Sequence, residues 1–276
     1  SVLSWGPTEL EHRSVSLSHD GKWSFGDSKL TAYYNDYDQS QQTDSGPTTQ
    51  KSNETIVEGN MNIPFTLGVE HVATVGGQWK SEELVNTQNI GLSIPSYDGK
   101  AYGSELEGDT WALFVEDKII FNDKVNLTLG NRFDNHDKFG THNSPRAYLV
   151  IQPNDAWTVK GGVAQGFRAP SLKENTAGAA TRSGGNGCTS LKPLGYVSGG
   201  CYMAGNADLK PEESKNYEIG VNFAQNALDM GLTYFHTDFK NKIEYRALGE
   251  INGVWWTQYQ NAEKARVRGL EASVVL

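Results

Sequence analysis

Large apolar side chains recur at every second position in one segment of this chain after another, and this pattern restricts the backbone more than any other feature. In Leu228-Asp229-Met230-Gly231-Leu232-Thr233-Tyr234 the even positions are large and apolar, while the odd ones are small or polar. Successive side chains of an extended strand point to opposite faces, so such a segment offers one face to lipid or core and one to water. Tyr217-Glu218-Ile219-Gly220-Val221-Asn222-Phe223, Val125-Asn126-Leu127-Thr128-Leu129-Gly130 and Val57-Glu58-Gly59-Asn60-Met61-Asn62-Ile63 repeat it. Further strands are expected near 11–18, 28–38, 68–80, 108–119, 142–152, 156–168 and 255–276, the last interrupted near Asn261. The total is about eleven, with no helical period between them.

The connections alternate in length. Brief ones are expected at His19-Asp20-Gly21-Lys22, Pro64-Phe65-Thr66, Asn122-Asp123-Lys124, Pro153-Asn154-Asp155 and Gln225-Asn226-Ala227, built from residues that tolerate or fix turn geometry. Longer ones fall at 39–52, 81–107, 171–214 and 246–254, with Phe139 to Thr141 the one short member of that set. Sandwiches and propellers follow no such rule, whereas bacterial outer-membrane barrels have short periplasmic turns and long extracellular loops. The expected fold is therefore all-β, an antiparallel up-and-down transmembrane β-barrel, with 171–214 as a long extracellular loop. Aromatic residues near strand ends, Trp157 and Phe167 on one face and Tyr34, Trp79, Trp111 and Phe133 elsewhere, fit a girdle at headgroup level.

Composition bears on what this fold excludes. Only 37% of the residues are hydrophobic and the mean hydropathy is -0.54, which a barrel with a polar lumen tolerates. No apolar run approaches the length of a membrane helix. A net charge of -9 argues against nucleic acid as a partner. The chain opens on Ser1-Val2-Leu3-Ser4-Trp5 without an initiating Met or signal peptide, as a mature form or a piece of one would. Cys188 and Cys201 lie in one Gly-rich segment and suit a loop-closing disulfide in an oxidising compartment, the alternative being two unpaired thiols.

Two segments, Gly166-Phe167-Arg168-Ala169-Pro170-Ser171-Leu172-Lys173 and Gly205-Asn206-Ala207-Asp208-Leu209-Lys210-Pro211-Glu212, together resemble the barrel of TonB-dependent receptors. Gly130-Asn131-Arg132-Phe133-Asp134, Asn143-Ser144-Pro145-Arg146-Ala147 and Gly269-Leu270-Glu271 extend the resemblance in order, over about 108–276. Within the family the chain most resembles the ferric enterobactin and colicin I receptor branch, which carries catecholate siderophores. The resemblance implies a barrel of about twenty-two strands around an N-terminal plug that TonB contacts. Against it, 1–276 reads as the central part of the barrel domain only, with the plug domain absent. About eleven strands with two free edges would leave unpaired backbone groups in lipid, so a longer wall is expected.

Charges in the expected lumen register are Glu58, Glu116, Arg132, Asp134, Arg146, Lys160, Arg168, Glu218 and Glu271, and their expected work is pairing across the wall or contact with a plug. Ligand contact is expected instead on the loops: Lys173, Arg182, Lys192, Tyr196 and Tyr202, with Trp255, Trp256 and Tyr259 beyond them. A ferric catecholate complex is anionic with aromatic faces, which cations and rings would hold. Catalysis finds no constellation. His12, His19, His71, His136, His142 and His236 are scattered, Asp134-Asn135-His136-Asp137 lacks the rest of a cation loop, and Ser183-Gly184-Gly185-Asn186-Gly187 lacks a phosphate-loop ending.

The expected function is that of an outer-membrane receptor and transporter for a ferric siderophore in a Gram-negative bacterium, energised by TonB in the full-length protein. No metal site or bound cofactor is expected, and iron enters only as the siderophore complex. Further expected partners are outer-membrane lipid and lipopolysaccharide, with bacteriocins or phages as users of the loops. The rival from another class is an adhesin-like β-domain that binds a protein or glycan through the same loops. An outer-membrane lipase or protease would need a nucleophile and base that the sequence does not offer.

Overall fold

The computed structural model describes residues 6–43, 46–91, 97–100 and 102–276. Eleven long strands form the wall in chain order: β1 (Thr8–Trp23), β2 (Gly26–Thr43), β3 (Gly46–Leu67), β4 (Val69–Asn86), β5 (Glu105–Asn122), β6 (Val125–His136), β7 (Gly140–Asn154), β8 (Trp157–Arg168), β11 (Glu212–Gln225), β12 (Leu228–Ile251) and β13 (Val254–Val275). Each pairs antiparallel with the next, as an up-and-down barrel requires. Two short strands, β9 (Ala180–Ser183) and β10 (Cys201–Ala204), flank a 3-10 helix at Asn186–Leu194. They lie within the β8–β11 connection, and β10 runs parallel to the far edge of β13. The sheet is open, with β1 at one edge and β9 at the other.

Register explains the alternation. Ile119, Leu127, Leu149, Gly161, Ile219, Tyr234 and Leu270 are successive cross-strand partners from β5 to β13, one continuous outward row. Rows above and below add Leu17, Ala32, Val57, Trp79 and Trp111 on one side of the wall and Val163 and Tyr217 on the other. These large apolar side chains stay accessible, Ile219 at 60% and Leu113 at 58%, because the solvent for this face is hydrocarbon. The opposite row Glu116, Gly130, Arg146, Ala164, Asn216 and Thr237 is polar or small throughout, as a lumen face is. On this face three rings lie over glycines: Phe114 over Gly76, Tyr148 over Gly162 and Phe235 over Gly269. Each occupies the space its cross-strand neighbour leaves empty.

Several expected boundaries shift. The described parts of the 39–52 and 246–254 segments are mostly strand, not loop: β2 and β3 stay paired as far as Thr43 and Gly46, and β12 meets β13 through Asn252-Gly253. Both of those residues have positive φ, 52° and 78°, the pair that a two-residue hairpin favours. Alternation fades there because the strand ends lie beyond the hydrocarbon: no lipid selects an apolar side in β2 and β3, and in β12 the residues Ala247, Leu248 and Ile251, of both parities, pack on the β8–β11 connection. The first brief turn lies after Trp23 rather than at 19–22, and the second at Gly68 rather than 64–66, since Pro64 sits within a paired strand. β13 runs unbroken through Asn261, whose amide instead donates to the carbonyl of Asn241. Strands reach 22 residues in β3 and 24 in β12, longer than a bilayer crossing needs, so the wall extends beyond the hydrocarbon.

Burial is concentrated at the long-loop end. Cys188, Leu191, Tyr196 and Cys201 form one cluster against Ala247 and Trp255, and Ala180, Ala204 and Trp256 form another with Tyr202, Leu248 and Ile251. The loop, not the wall, has the water-excluding core.

Candidate functional site

The β8–β11 connection folds inward. Arg168 and Glu212, cross-strand partners on the lumen face at the top of β8 and β11, join it at 2.6 Å, and Arg168 also reaches Glu174 at 3.0 Å. Glu174 in turn accepts the Ser171 amide, which fixes the first turn of the connection above the lumen. Leu172 approaches Gly108, on the lumen row of β5, where an added Cβ would lie 3.1 Å from it. The 3-10 helix packs on Trp255, which stands in the lumen row of β13. From the other side, the β4–β5 connection meets it: Gly91 donates to Gly178 at 3.2 Å, Ala180 donates to Asn89 at 2.8 Å, and Ile90 bridges to Ala179. Two connections thus form one hydrogen-bonded cover at the mouth of the lumen.

Cys188 and Cys201 are joined, with 5.8 Å between their Cα atoms and 13 residues of separation. The link ties the helix to β10, and the Tyr196 hydroxyl beneath it accepts the Gly200 amide at 3.0 Å. The expected loop-closing disulfide is present.

The residues singled out from the sequence for ligand contact separate into groups. Tyr196 and Trp256 are buried, at 7% and 1% exposure, and support the cover from within. Tyr202 lies over Trp256 with ring centres 5.2 Å apart, and Trp255 meets Tyr196 edge to face. Arg182 and Lys192 are exposed on the cover's surface. Tyr259 packs on Tyr245 with tilted rings whose centres are 4.1 Å apart, and their hydroxyls hydrogen-bond. Lys173 is half-buried and, among the described residues, has no ion-pair or hydrogen-bond partner. Burial lowers its pKa below that of a free lysine. A cation held out of water without a counter-charge is a place where an anion would be welcome.

All nine expected lumen charges lie in the lumen register. Glu58 accepts from Gln78 at 2.5 Å, Gln78 accepts from Arg132 at 2.8 Å, and Arg132 donates to Asp134 at 2.9 Å. Arg146 pairs with Glu116. Glu58, Glu116, Arg132 and Arg146 line an open pocket of about 420 Å³ on the lumen side. Lys160 lays its stem over Gly220, while Glu218 and Glu271 enter no ion pair among the described residues. Sequence reading missed Gln78, which relays between Glu58 and Arg132, and Lys80, held between Glu54 and Glu82 at 2.9 and 3.0 Å. It also missed Glu174, Glu212 and Tyr245. All but Glu174 follow from strand parity once the register is known; Glu174 lies in a loop, where no periodicity marks it.

Among the described residues no cluster of His, Cys, Asp and Glu could hold a metal ion, and no helix is long and apolar enough to cross a membrane.

Comparison with known proteins agrees with this geometry. The chain is 32% identical over 291 residues to the ferric enterobactin receptor PirA of Pseudomonas aeruginosa, covering 97% of this chain and 38% of that protein. It is 34% identical over 235 residues to the ferrienterobactin receptor of Escherichia coli K12, covering 80% of this chain and 30% of the relative. The crystal structure of the siderophore receptor PirA from Pseudomonas aeruginosa superposes with a TM-score of 0.83 at 32% identity, over 97% of this chain and 47% of that one. A mutant of the ferric enterobactin receptor from the same organism, in complex with enterobactin, gives 0.79 at 30% identity, over 96% of this chain and 41% of that chain. The chain thus spans less than half the length of these relatives. A family model described as TonB dependent receptor-like, beta-barrel, matches residues 3–276. This chain belongs to that family, as a partial barrel of the bacterial outer membrane.

Proposed function

We propose that the protein to which this wall belongs binds a ferric siderophore of the catecholate type at the cell surface and transports it inward, driven by TonB, with no chemical transformation. The observation that carries the reading is the inward-folded β8–β11 connection, which holds Lys173 half-buried and unpaired in a chain whose relatives are named as ferric enterobactin receptors. Long connections then face outside and the brief turns face the periplasm, as in other outer-membrane barrels. Segment 171–214 is accordingly an extracellular cover.

The chemistry of the cover supports this ligand class. A tris-catecholate iron complex is a polyanion with flat aromatic edges. Lys173, Arg182 and Lys192 supply cations, and Tyr202, Trp255 and Tyr259 supply rings with one accessible side. Tyr196 and Trp256 contribute by holding the cover's shape. The lumen ladder of Glu58, Gln78, Arg132 and Asp134, with Arg146 and Glu116, then lines the route below and would meet a plug.

Titrating the purified full-length receptor with ferric enterobactin, and separately with a neutral ferric hydroxamate, tests the assignment through tryptophan fluorescence. Saturable quenching by the catecholate alone is expected. Quenching by neither complex, with a protein or glycan bound instead, would favour an adhesin.

A further inference from the structure

A neutral strip divides the outward face of the wall. Every outward position of β6, β7 and β8, from Val125 to Asn135, Thr141 to Ile151 and Trp157 to Phe167, is uncharged. On either side of the strip, charges begin at the outward place next beyond the rings that end the apolar band, toward the long connections. Asp36 follows Tyr34, Asp109 follows Trp111, Lys215 follows Tyr217 and Asp238 follows His236. The two sides differ in sign. On β11 to β13, Lys215, Lys240, Lys264, Arg266 and Arg268 face only Glu213 and Asp238 at this level. On β1 to β5 carboxylates prevail, and among the described residues Arg13 and Lys51 are the outward cations that answer them, through Glu11 and Asp38.

Each side also repels itself. Glu83 stands directly opposite Glu107, and Lys240 directly opposite Lys264. Like charges in that position weaken a ladder. Glu83, Glu105, Glu107 and Asp109 are exposed and enter no ion pair among the described residues; Glu83 accepts only from the Asn53 amide at 3.4 Å. Lys138 Nζ meets the backbone carbonyl of Glu107 at 2.8 Å, not its carboxylate. Across the strip, Lys240 leans to Glu213 at 3.2 Å and Arg266 shares Asp238 with His236, while Lys264 and Arg268 have no counter-charge among the described residues. Both sectors thus keep charge that their own strands leave unanswered.

We infer that the two sectors meet between copies of this protein, the basic side of one docking on the acidic side of the next in the plane of the membrane. The bilayer does part of the docking. Copies inserted in one direction share a height, since each is held by its own apolar band and rings, so sectors that begin at the same ring level arrive face to face. Lipid gives the apolar bands little reason to join, because hydrocarbon solvates them as well as a neighbour would. Charge therefore decides which sides meet, drawing opposite signs together and holding like signs apart. A recess of about 800 Å³ bounded by Lys215, Lys240, Lys264 and Arg266 gives the neighbour's carboxylates room to enter. The contact is heterologous, because the surfaces that meet are different ones, and copies add in rows or rings rather than stopping at a two-fold pair. Association of this kind draws on the wall alone and owes nothing to siderophore binding.

Resonance energy transfer between full-length receptors that carry a donor or an acceptor dye at the N terminus, co-inserted in phosphatidylcholine vesicles, is the test. Transfer is expected at low ionic strength and should fall as salt is added, since the facing charges lie in water above the hydrocarbon. Lys264→Glu with Arg266→Glu makes both sides acidic, and Glu107→Lys with Asp109→Lys makes the other side basic in its turn; either variant alone should associate about tenfold more weakly than the parent. Mixing donor-labelled copies of one variant with acceptor-labelled copies of the other restores opposite signs and should restore transfer. Equal transfer in the parent and both variants would overturn the inference, as would a mixture no better than either variant alone. So would transfer that arises only when anionic lipid is added, which would put a lipid between the copies. Heat-dependent mobility on gels reports that each variant is a folded barrel, independently of any ligand.

Discussion

Arg168 Nε donates to Glu212 Oε2 at 2.6 Å, and the other oxygen of Glu212 accepts the Ile243 amide at 2.6 Å, so one ion pair fastens β8, β11 and β12 at the point where the inward-folded connection departs. Arg168 also donates to Glu174. Replacing Arg168 with Ala leaves Glu174 without a cation and Glu212 with only Lys242 at 3.8 Å. Because the arginine is 47% exposed, solvent screens part of the loss, and a cost of about 1 kcal/mol is expected. Hydrogen exchange should accelerate across 169–176 and stay unchanged in β5 and β6. Arg168→Lys should recover only part of the protection, since an ammonium cannot present the same fork to two carboxylates.

Reduction of the disulfide should loosen the cover without opening the wall. Cys188→Ser with Cys201→Ser removes a constraint worth about 3 kcal/mol in the chain-entropy picture for a closure of this length. Limited proteolysis is expected to cut within 184–200 in the variant and not in the parent, while heat-dependent mobility of the barrel on gels stays the same. A matching loss of barrel stability would place the disulfide's work in the wall.

Gly162 tests the packing of lumen rings over glycines. A Cβ there would lie 2.5 Å from the Tyr148 ring and 2.8 Å from the Ala147 carbonyl oxygen, and the backbone atom has no rotamer to escape into. Gly162→Ala should cost about 1–3 kcal/mol in unfolding of the refolded receptor. Gly103→Ala, where nothing lies within 4 Å, should be neutral.

Lys173 gives a prediction of opposite signs. Burial lowers its pKa in the folded state, so the charged form disfavours the folded cover, and that penalty fades as pH rises through the lowered pKa toward the ordinary lysine value. Lys173→Met should therefore slow hydrogen exchange in 171–176 at neutral pH. The same variant should weaken ferric catecholate binding by about tenfold, the loss of one charge-assisted contact. Slower exchange with undiminished binding would remove Lys173 from the ligand site and leave it a structural residue.

Neighbouring residues on one strand should respond differently to the same charge. Ile219 faces outward and Glu218 inward on β11. Ile219→Arg is expected to cost about 2–4 kcal/mol in a lipid-reconstituted barrel, while Glu218→Arg costs far less because the lumen is wet. Equal costs would contradict the assignment of faces.

What could be read from the sequence follows from where a periodic force acts. Between Val125 and Phe223, lipid on one side and water on the other select alternate residues, so the strands and the lumen register of Arg132, Arg146 and Glu218 were legible from parity alone. Above the hydrocarbon that selection ceases. The upper ends of β2, β3, β4 and β12 therefore carry no strand signal in the sequence, apart from the hairpin pair Asn252-Gly253. The cover is legible only in part: the cysteine pair marked it, but Arg168's reach to Glu174 and the contact between Asn89 and Ala180 join segments far apart in sequence. The small β9–β10 unit, parallel to β13, left no periodic trace in its four-residue strands.

Uptake of radiolabelled iron measures the central claim most directly. In an iron-starved strain lacking its other catecholate receptors, the full-length protein should support accumulation of iron from ferric enterobactin, and a strain without TonB should abolish it. Accumulation that is the same with and without the protein would contradict the receptor reading outright.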